Sequence, residues 1–281
     1  MTWKEAWKRG AQSLQKAGVE EYDLDAWYLL EHVTGITKAS YYMEPEHPMH
    51  DQEEREYLEL IRKRSTRIPL QHLTGVQEFM GLEFYVNEHV LIPRQDTETL
   101  VELILNEHKE KNISLLDVCT GSGCIAVSLA KLGGYADVTA LDLSEEALKV
   151  AKSNGEKLLD HPVKVIKSDM VSALDPENRY DVIVSNPPYI PSQVIEGLEP
   201  EVKDHEPRMA LDGEPDGLKF YRILAEEGKK YLKNGGEIYM EIGWDQAKDV
   251  TEIFEAMGFS GLRTVRDMAG NDRVVCARKE K

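Results

Sequence analysis

The chain has 281 residues, 41% hydrophobic and 30% charged, a composition typical of a large globular domain with a smaller one, or of two modest domains. Its 51 acidic residues exceed the 34 basic ones and give a net charge of −17, which repels phosphate backbones and disfavours broad nucleic-acid binding. No apolar run approaches the ~20 residues of a membrane span, and residues 1–6 lack a signal peptide's apolar stretch, so we expect a cytoplasmic protein without membrane contact.

Residues 2–66 carry apolar side chains at steps of three and four residues and few signals for β-strands. Trp3 and Trp7 begin one such row, and Tyr57 and Ile61 belong to another. We interpret the aromatic residues as the core of a small helical bundle rather than as a cofactor site, because their spacing is that of a packed helix face.

The pattern changes at Pro69, where aromatic and β-branched residues become frequent. Residues 71–75 and 78–87 predict a β-hairpin with Gly81 at its turn, because glycine tolerates the backbone conformations that tight turns need. The predicted division of the chain is a helical domain, a β-hairpin connector and a large domain, at 1–68, 69–97 and 98–281.

The end of the connector leads into a helix. We predict that this helix starts at Thr97, because threonine is a common cap and apolar residues follow at 100–105. Arg94 follows Pro93, whose fixed backbone restricts where the arginine can lie. Arg94 can therefore meet a carboxylate near a ligand site, and a plain surface salt bridge fits its position equally well.

From Ile113 onward, strands and helices alternate, which is typical of a parallel sheet covered by helices. The predicted strands occupy 114–118, 138–141, 163–166, 181–184, 237–242, 262–265 and 273–277. Helices are predicted at 124–132, 218–232 and 246–257, and a further helix begins after the cap Ser144. We therefore predict an α/β fold of the Rossmann-like class with a seven-stranded sheet.

The turn after the first of these strands contains two glycines, Gly121 and Gly123. Glycine lets a backbone pass close to a ligand, because it has no side chain to collide with it. Asp142 ends the next strand, at the distance where dinucleotide-binding folds place an acid on the ribose hydroxyls. The pattern predicts a nucleoside-type ligand, and a tight strand-to-helix corner without a ligand is the alternative.

Several residues favour S-adenosylmethionine over a dinucleotide. Asp117 ends the first strand, where it would repel a pyrophosphate but can hold the positively charged amino group of S-adenosylmethionine. Ala126 replaces the third glycine of the dinucleotide pattern, which a looser version of that pattern tolerates. Asp169 and Met170 follow the third strand, where the carboxylate can accept from an adenine amine and the thioether can lie on the adenine face.

The strand at 181–184 stops at Asn186-Pro187-Pro188-Tyr189. Neither proline can donate to a sheet, so this turn lies at the carboxyl end of a strand, where open α/β sheets bind ligands. The prolines stiffen the turn, and the amide oxygen of Asn186 and the carbonyl of Pro187 can together accept from one NH2 group. Tyr189 adds a ring on which a planar amide or base can lie. An ordinary proline turn after a buried strand is the alternative.

The three cysteines are Cys119, Cys124 and Cys276. They form no Cys-x-x-Cys pair and have no histidine nearby at metal-ligand spacing. We expect buried free thiols rather than reactive ones, and no metal site.

Together these residues resemble the class I S-adenosylmethionine-dependent methyltransferases and, within them, the bacterial family of peptide chain release factor glutamine methyltransferases. The resemblance extends over nearly the whole chain and rests on Leu73-Thr74-Gly75, Glu78-Phe79, Val90 to Arg94, Asp117 to Gly123, Asn186 to Tyr189, Glu206-Pro207, Glu241-Ile242-Gly243 and Asp272-Arg273-Val274. It implies methylation of the side-chain amide nitrogen of the glutamine in the Gly-Gly-Gln motif of release factors, which would modulate translation termination. It also implies that S-adenosyl-L-methionine is the cofactor and that the helical domain recognises the substrate.

The residue patterns and the resemblance together give the expected site. The expected cofactor-binding residues are Asp117, Cys119, Thr120, Gly121, Ser122, Gly123, Asp142, Asp169, Met170 and Asn186. The expected substrate-binding residues are Arg94, Asn186, Pro187, Pro188 and Tyr189. Of these, Asn186, Pro187 and Tyr189 are the expected catalytic residues.

Two residues depart from the methyltransferase pattern. Cys119 stands where the general motif prefers glycine; we expect that its φ need not be positive and that only the packing of the turn changes slightly. Met170 stands where relatives carry an aromatic residue, which should weaken stacking on the adenine without abolishing it.

Three other functions compete with this interpretation. An adenine methylase acting on DNA or RNA would use the same Asn-Pro-Pro-Tyr turn on a flipped base, but the acidic excess disfavours it. A binding protein that has lost its chemistry is disfavoured by intact Asn186 and Asp142, and a nicotinamide-dependent reductase by Asp117. We therefore expect a release factor as the partner, no direct nucleic-acid partner and a monomer. The sequence of residues 200–217 is compatible with a lid but does not predict whether it closes.

Overall fold

The computed structural model describes residues 1–280, which form two compact units. The first unit contains Met1–Val76 and Glu199–His205, and the second contains Gln77–Leu198 and the chain from Glu206 onward. Within the described residues, every helix is too short or too polar to cross a membrane. The division at 1–68, 69–97 and 98–281 stays a prediction.

The first unit is a bundle of helices, as the sequence predicts. Its helices are α1 Trp3–Lys16, α2 Tyr22–Thr34, α3 Lys38–Met43, α4 Asp51–Arg64 and α5 Leu70–Thr74, with α10 Pro200–Lys203 in the returning segment. The aromatic rows converge in its core, where Trp27 and Tyr57 are fully buried with Leu14, Leu29 and Leu30. Trp27 packs edge-on against Trp7, and the hydroxyl of Tyr57 donates to the carbonyl of Ala26, as the interpretation of a core requires.

The prediction of a strand at 71–75 is wrong, because these residues lie mostly in α5. Gly75 ends this helix in the left-handed conformation, with φ 73°, and its N–H donates to the carbonyl of Gln71 at 2.8 Å. A helix of five residues is too short for helical periodicity to be visible in the sequence.

The returning segment is held to the bundle by two arginines. Arg64 lies 2.7 Å from Asp25 and 2.9 Å from Glu201, and Arg67 donates to Glu201 at 2.6 Å. Arg64 and Asp25 are buried, so each charge depends on its partner for compensation. Glu201 thereby fixes α10 against α4 and the turn that follows it.

A hairpin of β1 Val76–Phe79 and β2 Leu82–Tyr85 follows α5, and all of it except Val76 belongs to the second unit. Met80 and Gly81 form its turn and both have positive φ, 54° and 71°, as a two-residue hairpin turn requires. The prediction of a hairpin with Gly81 at its turn is confirmed.

A seven-stranded sheet forms the centre of the second unit. Its strands are β3 Ser114–Val118, β4 Asp137–Asp142, β5 Lys164–Lys167, β6 Tyr180–Ser185, β7 Leu232–Glu241, β8 Phe259–Arg266 and β9 Asp272–Lys279, in the spatial order β5-β4-β3-β6-β7-β9-β8. Only β9 runs antiparallel to its neighbours β7 and β8. The predicted Rossmann-like α/β fold is confirmed.

Apolar cores lie on both faces of this sheet. The helices of the second unit are α6 Gln95–Glu107, α7 Cys124–Gly133, α8 Glu145–Leu158, α9 Ser192–Ile195, α11 Arg208–Leu211, α12 Lys219–Ile223, α13 Lys229–Tyr231 and α14 Ala247–Ala256. Successive strand residues point to opposite faces, so Leu115 packs in one apolar core and Leu116 in the other. The strands therefore have near-continuous apolar sequences rather than alternating ones.

Two predicted element boundaries need correction. Helix α6 begins at Gln95 with Arg94 as its N-cap residue, so Thr97 lies inside the first turn, where it is buried. The helix predicted at 218–232 contains a π-helical turn at Leu224–Gly228, and Leu232 already belongs to β7.

The strand order places one crevice in the sheet. The chain passes from β3 to its neighbour β4 on one side and later returns to β6, the neighbour of β3 on the other side. Ligands of open α/β sheets bind at such a reversal, outside the carboxyl ends of the strands.

Gly10 in α1 leaves room for the side chain of Tyr57 in α4. A Cβ atom at this position would lie 2.0 Å from the hydroxyl oxygen of Tyr57, which donates to the carbonyl of Ala26 at 3.2 Å. We expect Gly10→Ala to lower the free energy of unfolding by about 1–3 kcal/mol through overpacking, measured by guanidinium unfolding followed by circular dichroism.

The matched control is Gly155→Ala in α8, where a new Cβ atom would meet no atom closer than 4.0 Å. We expect this variant to be neutral or up to ~1 kcal/mol more stable, because alanine is the better helix former. Equal losses in both variants would contradict the steric explanation.

Candidate functional site

A cavity of about 430 Å³ lies at the carboxyl ends of β3, β4 and β6, in the predicted crevice. Its wall is formed by the loops after these strands, by residues 89–94 and by residues 207–214. Ten of the predicted site residues line it: Arg94, Cys119, Thr120, Gly121, Ser122, Asp142, Asp169, Met170, Asn186 and Pro188. The volume is within the range of small-molecule and cofactor sites.

Four predicted site residues lie outside the lining of this cavity. Asp117 is buried behind the loop at 119–123, and Gly123 packs against α8, where a Cβ atom would lie 3.0 Å from Ala151. Pro187 does not line the cavity, and the hydroxyl of Tyr189 points to Glu241. The ligand contacts expected of these residues stay predictions.

The loop after β3 has an unusual backbone. Cys119, Gly121 and Gly123 all have positive φ, at 63°, 54° and 79°. The expectation that φ of Cys119 need not be positive is wrong. The general motif prefers glycine at this position, and that preference already indicated a positive φ. A non-glycine residue in this conformation costs roughly 1–2 kcal/mol. The Cys119 thiol gains a contact in return, because its sulfur lies 3.8 Å from the sulfur of Met170.

Asp142 holds the loop in this shape. One carboxylate oxygen accepts from the N–H of Gly121 at 2.8 Å, and the other accepts from the N–H of Ser144 at 2.9 Å. Burial raises the pKa of Asp142, and the backbone N–H donors, including Leu143, oppose that shift. Each oxygen retains a second lone pair, so the carboxylate can also accept from the hydroxyls of a ligand.

Asp117 supports the loop from below. Its Oδ2 accepts from the Thr120 hydroxyl at 2.6 Å and from the N–H of Ala126 at 3.2 Å, whereas Oδ1 is buried without a partner among the described residues. Burial raises the pKa of Asp117 to about 7, against the lowering effect of these two donors. A buried carboxylate oxygen without a donor is costly, and among the described residues Asp117 retains such an unsatisfied acceptor behind the loop.

Asn154 in α8 ties the loop to the hairpin. Its amide accepts from the N–H of Tyr85 at 2.8 Å and donates to the carbonyls of Tyr85 and Ser122, both at 2.9 Å. Asn154 is fully buried, and this set satisfies both ends of its amide. Sequence reasoning missed Asn154, since a lone asparagine in a helix gives no signal.

Asn186 is the first residue after β6 and lines the cavity. Its Nδ2 donates to the hydroxyl of Thr97 at 3.4 Å, and that hydroxyl in turn stabilises the carboxylate of Glu241. Tyr189 donates to the same carboxylate at 3.3 Å. Both ends of the Asn-Pro-Pro-Tyr turn therefore act on one buried acid, Asn186 through Thr97 and Tyr189 directly. Sequence reasoning assigned neither Thr97 nor Glu241 a part in the site.

Arg94 meets a carboxylate at the edge of the cavity, one of the two predicted alternatives. Its Nη2 donates to both carboxylate oxygens of Glu206, at 2.8 and 2.7 Å. The Glu206 side chain is 1% exposed, and burial raises its pKa, while Arg94 and the N–H of Ile92 oppose that shift. The pair joins the connector to the segment at 207–214 that forms the opposite wall.

Comparison with known proteins gives two matches to domain families. Residues 5–75 match the PrmC N-terminal domain, and residues 95–197 match the methyltransferase small domain. The second match contains the loop at 119–123, Asp142 and Asn186.

Two curated relatives match the chain over nearly its full length. The release factor glutamine methyltransferase of Clostridium botulinum strain Hall is 38% identical over 282 residues, which cover 99% of this chain and 100% of the relative. The release factor glutamine methyltransferase of Geobacter sulfurreducens is 40% identical over 274 residues, which cover 97% and 94%.

Among solved structures, the fold is similar to that of the 16S rRNA N2 G1207 methyltransferase of T. thermophilus, which was solved with AdoMet and guanosine. The TM-score is 0.52 at 18% identity, over 73% of this chain and 50% of that one. At this identity the likeness shows a shared fold.

The left-handed conformation of Cys119 can be tested by a pair of substitutions. Cys119→Gly and Cys119→Ala both remove the sulfur, but only alanine keeps a Cβ atom at φ 63°. We expect Cys119→Gly to have a free energy of unfolding about 1 kcal/mol higher than that of Cys119→Ala, measured by chemical unfolding.

The same pair at Cys124, the first residue of α7, is the control. The glycine variant should there be less stable than the alanine variant, by up to ~1 kcal/mol, which is the usual order in a helix. The same order at both positions would contradict the strained backbone at Cys119.

Proposed function

We propose the function of this chain from the premise that it belongs to the release factor glutamine methyltransferase family. It transfers a methyl group from S-adenosyl-L-methionine to the side-chain amide nitrogen of the glutamine in the Gly-Gly-Gln motif of peptide chain release factors. The observation that carries this function is the presence of Asn186, Asp142 and the glycine loop around one cavity. A nucleoside-binding acid and a carboxamide that can grip an NH2 group thus face the same space.

The residues around the cavity fit the cofactor. A Cβ atom at Gly121 would meet nothing within 4 Å, so the loop borders open space on its cavity side. Asp142 would hold the ribose, the loop at 119–123 the amino acid moiety, and Asp169 and Met170 the adenine. The unpartnered oxygen of Asp117 is a suitable acceptor for an ammonium group. When bound, S-adenosylmethionine supplies a methyl group that its sulfonium makes electrophilic.

The Asn-Pro-Pro turn supplies the substrate clamp in this proposal. An amide nitrogen is a poor nucleophile because its lone pair is delocalised into the carbonyl, so its orientation must be controlled. Asn186 Oδ1 and the carbonyl of Pro187 would accept the two amide hydrogens and stabilise the positive charge that develops on the nitrogen. The Thr97 hydroxyl engages Nδ2 of Asn186, which leaves Oδ1 as the acceptor for the substrate.

Arg94 completes the substrate side. Its Nη2 is engaged by Glu206, whereas Nε and Nη1 have no hydrogen bond among the described residues. These free N–H groups lie at the cavity wall and can donate to backbone carbonyls of a bound loop. Glu206 would fix the guanidinium in the orientation that this contact needs.

Recognition of the release factor by the helical unit belongs to the same proposal, as do a monomeric state and a cytoplasmic location. The net charge of −17 supports a protein substrate over a nucleic acid, because it repels phosphate backbones. The free state of all three cysteines accords with a reducing compartment.

Transfer of labelled methyl groups tests the function directly. The chain is incubated with labelled S-adenosylmethionine and, separately, with a release factor, the same factor with alanine in place of the Gly-Gly-Gln glutamine, DNA and RNA. We expect label on the intact factor alone. Label on nucleic acid but not on the factor would instead establish the adenine methylase.

Asn186→Ala tests the clamp. We expect turnover to fall about 10²-fold or more, because a preorganised polar contact to the reacting amide is lost. Cofactor affinity, measured by calorimetry, should remain largely intact. Turnover close to that of the unchanged chain would remove the clamp from the mechanism.

Asp142→Asn tests the cofactor side of the site, where the expected loss is in cofactor binding. It keeps the size of the side chain but replaces one acceptor oxygen by an NH2 group, which cannot accept from the ribose or from the backbone N–H groups. Calorimetry should show weaker cofactor binding. An unchanged affinity would mean that Asp142 does not contact the ribose.

A further inference from the structure

We propose that Glu241 is a positioning residue for methyl transfer, which holds Thr97 and Tyr189 so that the turn between them presents Asn186 to the substrate amide. The inference rests on the proposed function, because it assigns Glu241 a part in the same reaction. Glu241 does not line the cavity and would touch neither the cofactor nor the substrate.

The position of Glu241 in the sheet explains how it can reach both ends of the clamp. It ends β7, which runs parallel to β6, and Met240 pairs with Ser185, the last residue before Asn186. The carboxylate therefore lies beneath the turn that follows β6. Tyr189 donates to its Oε1 at 3.3 Å, and the hydroxyl of Thr97 acts on the same group from α6.

The Thr97 hydroxyl has a single hydrogen, so it can donate to only one of its two neighbours and must accept from the other. Nδ2 of Asn186 donates to the Thr97 hydroxyl at 3.4 Å, and the same hydroxyl lowers the pKa of Glu241. In the proposed arrangement the single Thr97 hydrogen turns toward the Glu241 carboxylate, so the oxygen presents only lone pairs to Asn186. The amide of Asn186 is then held with Oδ1 away from Thr97. A neutral group in place of the carboxylate allows the Thr97 hydrogen to turn elsewhere, and the orientation of the amide is no longer enforced.

The burial of Glu241 is hard to explain by stability alone. The residue is 2% exposed, and its Oε2 has no hydrogen-bond partner among the described residues. Arg273 is a cation that acts on Glu241, but its guanidinium is engaged by Asp267 and Asp96, both at 3.0 Å. A buried carboxylate with an unsatisfied oxygen costs folding free energy, and such groups are frequent at functional sites.

The charge of Glu241 depends on pH in the physiological range. Burial raises the pKa of Glu241 to about 7, while Thr97, Arg273 and Tyr189 lower it. The other titratable groups that act on it or lie against it are Asp96, Tyr221 and Cys124. Because the clamp needs the carboxylate, its contribution should be complete above this pKa and be lost as the pH falls through it.

The test compares Glu241→Gln with Glu237→Gln in methyl transfer to the release factor. Glu237 lies on the same strand and also accepts from a tyrosine hydroxyl, that of Tyr239 at 3.0 Å, but it does not line the cavity and its pKa is lowered to about 2 by His108. We expect Glu241→Gln to lower kcat roughly 10- to 100-fold at about pH 8.5, as misplacement of a reacting group does. Cofactor affinity should stay within about twofold, because Asp142 and the loop at 119–123 keep their positions.

The pH dependence separates positioning from a loss of structure. The ratio of kcat between the unchanged chain and Glu241→Gln should shrink toward one by about pH 5.5, where both side chains are neutral. Asp117 also titrates near this pH, but it does so in both proteins, so its effect on kcat drops out of the ratio. For Glu237→Gln, the ratio should stay near one at every pH.

Tyr189→Phe is a second variant that leaves the buried carboxylate in place and removes only one donor to it. It should lower kcat without weakening cofactor binding, and its effect should be less than additive with that of Glu241→Gln. An unchanged kcat in Glu241→Gln at high pH, or a ratio independent of pH, would overturn the inference. Absence of transfer by the unchanged chain would instead overturn the proposed function itself.

Discussion

The cavity depends on one backbone constraint, the left-handed path of the loop after β3. Three residues within five positions have positive φ, and one of them, Cys119, is not a glycine. This path is stable only because side chains from other elements satisfy the loop on several sides. Asp142 binds the N–H of Gly121, Asp117 binds the hydroxyl of Thr120, and Asn154 binds the carbonyl of Ser122. The loop is therefore preorganised by the sheet and by α8, and a ligand need not order it on binding.

Two buried acids lie beneath the two halves of the site. Asp117 supports the loop on the cofactor side, and Glu241 supports the Asn-Pro-Pro-Tyr turn on the substrate side. Among the described residues, each has one carboxylate oxygen without a partner, and burial raises the pKa of each to about 7. In our proposal, Asp117 would accept from a cationic group of the ligand, whereas Glu241 would orient neighbouring hydroxyls without touching a ligand.

Sequence patterns predicted the parts of this protein that depend on neighbours along the chain. The seven strands follow from short apolar runs, and Asp142 and Asn186 follow from their positions at strand ends. Contacts between distant residues were beyond such reasoning. Thr97 and Glu241 acquire their roles only because α6 and β7 come together in the fold, and Glu206 gains its role by meeting Arg94. The backbone of Cys119 was predicted wrongly because packing against Met170 and the hydrogen bonds of the loop outweigh the residue's own preference.

The segment Glu199–His205 has a consequence for dissection of the protein. It belongs to the helical unit through the contacts of Glu201 with Arg64 and Arg67, yet it interrupts the sequence of the second unit. The helical unit is thus discontinuous in the gene, and excision at a single peptide bond cannot isolate either part intact. A shortened chain that begins after Val76 would retain Glu201 without either arginine, next to the stretch that carries Glu206 and one wall of the cavity.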